Sequence, residues 1–304
     1  MELKPSVSVI VPVHNRVSKI AMALHSIRAQ TYPNWEAIVV DDASTDGTPQ
    51  IVVQLADEDD RILLVRHSCR RGAQAARNTG LRNSQAKWIA FLDSDDRWLP
   101  NSLEARLEEA KRGTFKIVHS ECYVMQEDGE KALFRVPPMK GWVYRDLLTG
   151  PGPMFQGLLI AREALERIGN LDEQIISYQE WDTAIRLARY YPFGFVDKPT
   201  FVYDCRGTDT ISKNELRTAE GYAQVFRKHL LAIVRYAGPR VLSAHYHAAA
   251  FLYHSAGEKS CGRRSSLLAI VWWPFQTRIV SRLVKEINGS ARRRRDDNQR
   301  TRWS

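Results

Sequence analysis

Cysteine is scarce: Cys69, Cys122, Cys205 and Cys261 are the only four in 304 residues. They lie far apart, and no two form a CxxC pair. Neither a thiolate metal site nor a disulfide framework is indicated, and a reducing compartment is expected. A charged start followed by an apolar core, the mark of a secretory signal, is also missing. The longest apolar run, LLAIVWWPF at Leu267–Phe275, is too short to span a bilayer. A cytoplasmic location is expected, at most peripheral on the cytoplasmic face of a membrane. Two glycine motifs are absent as well. GxGxxG does not follow the first apolar run, and GxxxxGK[ST] occurs nowhere, which disfavours NAD enzymes and P-loop NTPases. No RRM, helix-turn-helix or zinc pattern appears, so a nucleic acid is not an expected partner.

Acid is scarce near the end of the chain. Residues 1–204 hold 25 Lys+Arg against 28 Asp+Glu, whereas residues 205–304 hold 19 against 7, so the net +9 belongs to the last third. Such asymmetry points to a polyanion or an anionic membrane surface near the C-terminus. At 44% hydrophobic residues, the sequence can bury a sizeable core, enough for one domain with an appendage. The expected divisions are an α/β domain over 1–210, a helical C-terminal extension over 211–290 and a basic tail over 291–304. RRRRDDNQRTRWS in that tail has the composition of a disordered segment.

The first half alternates strand and helix signals. SVSVIVPV (Ser6–Val13) reads as a buried strand, residues 17–30 as a helix with Ile20, Leu24 and Ile27 on one face, and WEAIVVDD (Trp35–Asp42) as a second strand. Asp46 is placed to cap a helix over about 47–57. RILLVRH is a third strand, GAQAARNTGLRNS a helix entered at Gly72, KWIAFLD a fourth strand, and Pro100–Lys111 a helix. This alternation implies a Rossmann-like, mostly parallel, doubly wound sheet flanked by helices. Further on, TFKIVHSECYVM suggests a strand, VPPMKGW and TGPGPMFQG suggest loops, and SYQEWDTAIRLARYY a helix. From about residue 215 the pattern is helical, over 218–237, 240–257 and 263–287.

Ligands of doubly wound sheets sit beyond the carboxyl ends of the strands, and polar clusters fall there. FLDSDDRW (Phe91–Trp98) puts Asp93, Asp95 and Asp96 directly after an apolar run. Like charges this close repel, and desolvation adds to the cost. A lone Asp after a strand is usually a solvated helix cap, but DxDD spacing calls for a cation. Mg²⁺ or Mn²⁺ takes one or two protein carboxylates and completes its shell with water and substrate phosphates. The cluster therefore suggests a metal held against a diphosphate. Asp41 and Asp42 can accept hydrogen bonds from a uracil- or thymine-type ring or from a ribose. Glu180 and Asp182 open a helix, where acids commonly complement the dipole.

In their order, VSVIVPVHNR, WEAIVVDDASTDGT, GAQAARNTGL, WIAFLDSDD and GNLDEQIISYQEWDTAIRLA resemble a family 2 glycosyltransferase of the GT-A fold, over residues 5–205. The resemblance implies sugar transfer with inversion. The donor would be a nucleoside-diphosphate sugar, a UDP-sugar first, and the acceptor a hydroxyl of a saccharide or lipid-linked molecule. It implies a nucleotide pocket of Pro12, His14, Asn15, Asp41, Asp42, Arg77, Asn78, Asp93 and Asp95, with Asp42 nearest the base. It implies that Asp93, Asp95 and Asp96 hold the metal and that Glu180 is the catalytic base, with Asp182 as the second candidate. Two departures stand out. Gln179-Glu180 replaces a common Glu-Asp, and in YDCR (Tyr203–Arg206) Arg206 falls where relatives often carry His. An Arg there is suited to pair with phosphate. The loop Thr149–Gly157 is expected to border the acceptor.

Other readings stay open. A sugar-nucleotide pyrophosphorylase would need a Gly-rich basic loop, which VPVHNR does not supply. A nucleic-acid-binding protein rests only on the basic tail, and a non-catalytic carbohydrate-binding relative would not need the acids. In the last third, Gln276–Asn288 would put Ile279, Val280, Leu283, Val284 and Ile287 on one helical face, with Arg278, Arg282 and Lys285 mostly off it. Trp272 and Trp273 precede it, and Trp favours the membrane interface. Arg292–Arg295 add charge that could meet acidic headgroups. Docking on an anionic membrane is one expectation; packing on the catalytic domain or on a second copy in a homo-oligomer is the other.

Overall fold

The computed structural model describes residues 5–126, 128–204, 206 and 214–275. The chain divides into two compact units, Met1–Leu147 with Pro151–Thr210, and Leu148–Gly150 with Ile211–Ser304.

The first unit is built on one sheet of nine strands. β1 (Val7–Val13) is buried at every position. Its near-continuous apolar run, interrupted by Ser8, is what a strand covered on both faces requires. β1 pairs in parallel with β2 (Trp35–Asp41) and β4 (Trp88–Phe91), and β2 pairs in parallel with β3 (Ile62–Arg66). The crossovers are α1 (Ile20–Arg28), α2 (Thr48–Glu58) and α3 (Ala73–Arg82). The N-cap of α2 is Gly47, and Asp46, expected as the cap, stands one residue earlier, its carboxylate accepting from the N–H of Thr48 at 3.0 Å. Gly80 lets α3 lie directly on β1, since a Cβ there would meet Ile10 Cγ2 at 2.4 Å.

The second half departs from simple parallel winding. β5 (Arg97–Trp98), α4 (Ser102–Gly113), β6 (Ile117–Met125) and β7 (Lys131–Phe134) are followed by α5 (Tyr144–Leu147) and a 3-10 turn, Phe155–Gly157. Next come β8 (Leu159–Ala161), α6 (Arg162–Arg167), α7 (Gln179–Ala188) and β9 (Phe193–Tyr203). β8 enters antiparallel between β4 and β6. β5 pairs antiparallel with β9, and β7 with β6, while β6 and β9 run parallel. The sheet is therefore mixed: β1 to β4, which carry the alternating signal, are parallel, and so are β6 and β9, with antiparallel pairings between and beside them. An antiparallel β8 begins where β4 ends, so its leading turn reaches the carboxyl edge of β4.

The second unit is helical. It comprises α8 (Glu215–Lys228), α9 (Leu230–Ala232), a π-helical turn (Ile233–Ala237), α10 (Pro239–Ser255) and α11 (Lys259–Trp272). Asn214 caps α8 by accepting from the N–H of Arg217 at 2.9 Å. The single helix expected over 218–237 is thus two pieces and a turn, closed by Gly238 at φ +92. The helix expected over 263–287 starts at Lys259 and stops at Trp272. Trp273 precedes Pro274, whose ring disfavours helical backbone in the residue before it. The amphipathic face placed on Gln276–Asn288 and the charges of Arg292–Arg295 lie outside the described residues.

Candidate functional site

Parallel pairing puts the ends of β1, β2 and β4 on one edge. Val13 is opposite Asp41, and the chain continues in register, with Asp42 N donating to Val13 O at 2.8 Å. Leu92 N donates to Ile10 O, which carries β4 out into Asp93. Pro12 is buried in β1 beyond its last β4 partner, Ile10, where no β4 ladder bond needs its missing N–H. His14 Nδ1 donates to the carbonyl of Asp42 at 2.9 Å. Asn15 takes the left-handed conformation at φ 50, and its Oδ1 accepts from Thr45 N at 2.8 Å. These residues stitch the β1 and β2 loops into one rim.

The two acids of that rim are committed to the chain. Asp41 is fully buried, accepting from Ser44 N and from Arg66 Nε at 3.0 Å. Asp42 accepts from His67 Nδ1 at 2.8 Å, Arg71 N at 2.8 Å and Gly72 N at 2.7 Å. Burial alone would raise its pKa, but these hydrogen bonds together hold it below the ordinary carboxylate value. Gly72 stands at φ +95, which glycine adopts freely, and this turns its N–H onto Asp42 as α3 begins. Any base contact by Asp42 has to share these bonds.

From α3, Arg77 reaches the acidic turn and Asn78 does not. Arg77 Nη2 pairs with Asp93 Oδ1 at 2.6 Å, while Nη1 donates to Gln74 and Gln179. Its guanidinium lies 4.5 Å from the Phe155 ring centroid. Asn78 instead ties α3 to the segment before α7, through Leu171 and Glu173.

The DxDD acids do not act alike. Asp93 accepts Arg77 on one oxygen and Gln156 Nε2 on the other, at 2.7 Å. Asp96, 1% exposed, accepts from Gln156 Nε2 at 2.6 Å and from Asp204 N at 2.9 Å. Among the described residues Asp95 has one ion pair, with Arg16 Nε at 3.7 Å, and its side chain is 18% exposed; the charge of Lys19 and a backbone hydrogen bond also act on it. Burial first, and then the charge of Asp93, raise the pKa of Asp95. Burial, followed by Asp93 and Asp95, pushes Asp96 well above the usual range. Among the described residues no group of three His, Cys, Asp or Glu side chains is arranged to hold a metal ion. Asp95 fits a cation, being a partly buried acid whose described ion-pair partner, Arg16, stands back at 3.7 Å. Asp96 does not, because both its oxygens are taken by donors.

α7 separates the two candidate bases. Residues two apart on a helix point about 200° apart. Asp182 is 1% exposed and pairs with Arg186, which is anchored on the carbonyls of Ile168 and Asn170. Glu180 lies on the other side, half-buried. Burial raises its pKa; the charge of Arg77 lowers it and that of Asp93 raises it again. Arg77, paired with Asp93 at 2.6 Å, is thus also near enough for its charge to act on Glu180.

Arg206 chelates Asp204 with Nε and Nη2 at 2.9 and 2.8 Å, and this hydrogen bonding holds Asp204 down to about 2. Sequence reasoning missed Gln156, His67 and Asp204. Gln156 sits in the segment singled out for the acceptor, but no motif marks an amide as the partner of acids 60 residues away.

Residues 8–156 match the model of the family described as glycosyl transferase family 2. The putative teichuronic acid biosynthesis glycosyltransferase TuaG of Bacillus subtilis is 41% identical over 126 residues, covering 41% of this chain and 50% of TuaG. The Escherichia coli UDP-Glc:alpha-D-GlcNAc-diphosphoundecaprenol beta-1,3-glucosyltransferase WfgD is 35% identical over 146 residues, covering 48% and 56%. The chain spans about half the length of these curated relatives. Among solved structures, S. aureus TarS 1-349 in complex with UDP-GlcNAc aligns with TM-score 0.61 at 16% identity, over 86% of this chain and 90% of that one. The mannosyltransferase PcManGT from Pyrobaculum calidifontis, in complex with GDP-Man and Mn2+, aligns with TM-score 0.59 at 23% identity, over 91% and 84%. At these identities the likeness shows the fold, which is GT-A.

Proposed function

Since the chain belongs, through residues 8–156, to glycosyl transferase family 2, we propose that it moves a sugar from a nucleoside-diphosphate donor to an acceptor hydroxyl with inversion. The observation that carries this is Arg77. It binds Asp93 at 2.6 Å, and its charge reaches Glu180, so it links an acid suited to a diphosphate site with an acid suited to a hydroxyl proton. Glu180 takes the proton as the acceptor oxygen attacks the anomeric carbon. The bond from that carbon to the diphosphate oxygen breaks, and its electron pair leaves with the nucleoside diphosphate. Asp95 is the residue that would hold Mg²⁺ or Mn²⁺, and a bound cation would offset the charge developing on the leaving group. Asp93 is held by Arg77 beside it. Asp41 and Asp42 shape the nucleotide rim, with Pro12, His14 and Asn15 as its wall.

A UDP-sugar is the first donor to test, because WfgD is named for UDP-Glc and a TarS complex holds UDP-GlcNAc. GDP-sugars belong in the same screen, since PcManGT was solved with GDP-Man. The acceptor is proposed to be a saccharide or a lipid-linked saccharide, in line with the diphosphoundecaprenol acceptor in the name of WfgD. Titration of UDP-, GDP- and dTDP-sugars with and without Mn²⁺ should show one metal-dependent binder and its slow hydrolysis. Absence of binding by every nucleotide sugar, with metal or without, would overturn the reading.

The C-terminal unit is proposed to rest on an anionic membrane surface. No helix of the described residues is long and apolar enough to cross one. Leu267 and Val271, one turn apart on α11, are 56% and 74% exposed, and Phe275 beyond them is 76% exposed. Arg263 and Arg264 are exposed on the same helix. In a liposome flotation assay the full chain should rise with anionic vesicles at low salt, and Leu267→Ser/Val271→Ser/Phe275→Ser should stay behind. Substitution is the better probe than truncation before α11. That helix is packed on α10, where Ser243 Oγ donates to Ala269 O and a Cβ at Gly262 would strike His254. Equal flotation of the two proteins would assign this face to packing or to a second copy.

A further inference from the structure

All four carboxylate oxygens of Asp93 and Asp96 accept a hydrogen bond from the protein, and a single side chain supplies two of these bonds. Gln156 Nε2 donates to Asp93 Oδ2 at 2.7 Å and to Asp96 Oδ2 at 2.6 Å. Arg77 takes the remaining oxygen of Asp93, and Asp204 N that of Asp96. An amide nitrogen carries two hydrogens, one for each acid, whereas an amide oxygen there would need a proton on both carboxyls, so this end of the amide is the nitrogen.

Gln156 is 4% exposed and is itself held in place. Its backbone carbonyl accepts from Trp98 Nε1 at 2.9 Å and from Arg106 Nη1 at 3.3 Å. Arg106 is wholly buried and has no carboxylate partner among the described residues. It spends its donors on Ser102 and on the carbonyls of Gln156 and Leu158, with its guanidinium 4.6 Å from the Trp98 ring centroid. A buried cation without an acid is expensive unless every donor is used. Here the donors fix the turn that presents Gln156. Asp95, the middle acid, receives none of this.

We propose that Gln156 is a positioning residue that withholds Asp93 and Asp96 from a cation and leaves Asp95 as the single carboxylate a divalent metal takes. The inference rests on the metal reading of this site. One carboxylate is a poor site alone, so the nucleotide-free protein binds the cation weakly, and the donor diphosphate completes the shell. Metal and nucleotide then arrive together, and the free enzyme holds no metal in an idle arrangement.

The test is Mn²⁺ binding to the nucleotide-free full chain by calorimetry, beside metal-dependent UDP binding and turnover. Gln156→Ala frees one oxygen of each acid and is expected to tighten Mn²⁺ binding without nucleotide by about tenfold, the competition of one charge-assisted hydrogen bond. Turnover should fall at the same time. A residue that merely supported the fold would weaken both. Trp98→Phe keeps the ring over Arg106 and removes only the Nε1 donor, so it should shift Mn²⁺ affinity the same way by less. It serves as the measurement should Gln156→Ala fail to fold. Unchanged or weaker Mn²⁺ binding in the variant that folds, with metal-dependent UDP binding intact in the native protein, overturns the role of Gln156 alone. Loss of metal dependence in the native protein overturns the metal reading and this inference with it.

Discussion

Asp95→Asn is expected to lower kcat by roughly 10²–10³-fold or more, the range found when one preorganised electrostatic group is removed from a transition state. The fold should survive, because among the described residues the one ion pair of Asp95 is a 3.7 Å contact with Arg16. Its ionised form is disfavoured by burial and by Asp93, so the neutral amide relieves repulsion and leaves the melting temperature unchanged or higher. In calorimetry, UDP should bind Asp95→Asn with the same affinity in the presence and absence of Mn²⁺. Asp96→Ala should behave differently, leaving Asp204 N and Gln156 without their acceptor and lowering stability before any effect on metal is read. Near-native turnover in Asp95→Asn would remove Asp95 from the mechanism.

Glu180→Gln keeps the shape of the side chain and loses its basicity, and general-base catalysis is worth roughly 10²–10⁴-fold in rate. Affinity for the nucleotide sugar should barely move, since the proton to be taken belongs to the acceptor. The pH dependence has a definite sign. Burial raises the Glu180 pKa, and a base works only when ionised. The acid limb of kcat should therefore lie above about 4.3, the ordinary Glu value. Stability runs the other way. A carboxyl with a raised folded pKa costs stability above that pKa, and the cost vanishes below the unfolded value. Glu180→Gln should accordingly melt higher than the native protein near neutral pH and match it in acid, a trade of stability for activity. Asp182→Asn is the control: it should cost stability through Arg186 and leave kcat within a few-fold. Full turnover in Glu180→Gln with loss in Asp182→Asn would reverse the assignment.

Some of this was legible without coordinates. Short β-branched apolar runs such as Val7–Val13 read as strands covered on both faces, and their alternation with helices of nine to eleven residues points to parallel order for β1 to β4. Parallel order then places His14, Asp41, Asp42 and Asp93 on one edge, because every strand in such a sheet ends on the same side. Local information sufficed, since each of those contacts follows from strand direction alone. Tertiary structure decided which acid does what. Nothing in DSDD distinguishes Asp95 from Asp96; the difference is that β8 enters antiparallel and brings Gln156 up to the end of β4, while β9 delivers Asp204 N. Likewise EWD offers two acids, and only the packing of α7 turns Asp182 onto Arg186 and Glu180 towards Arg77. A carboxylate's chemistry depends on how many donors reach its oxygens, and for Asp96 those donors come from residues 60 and 108 positions away.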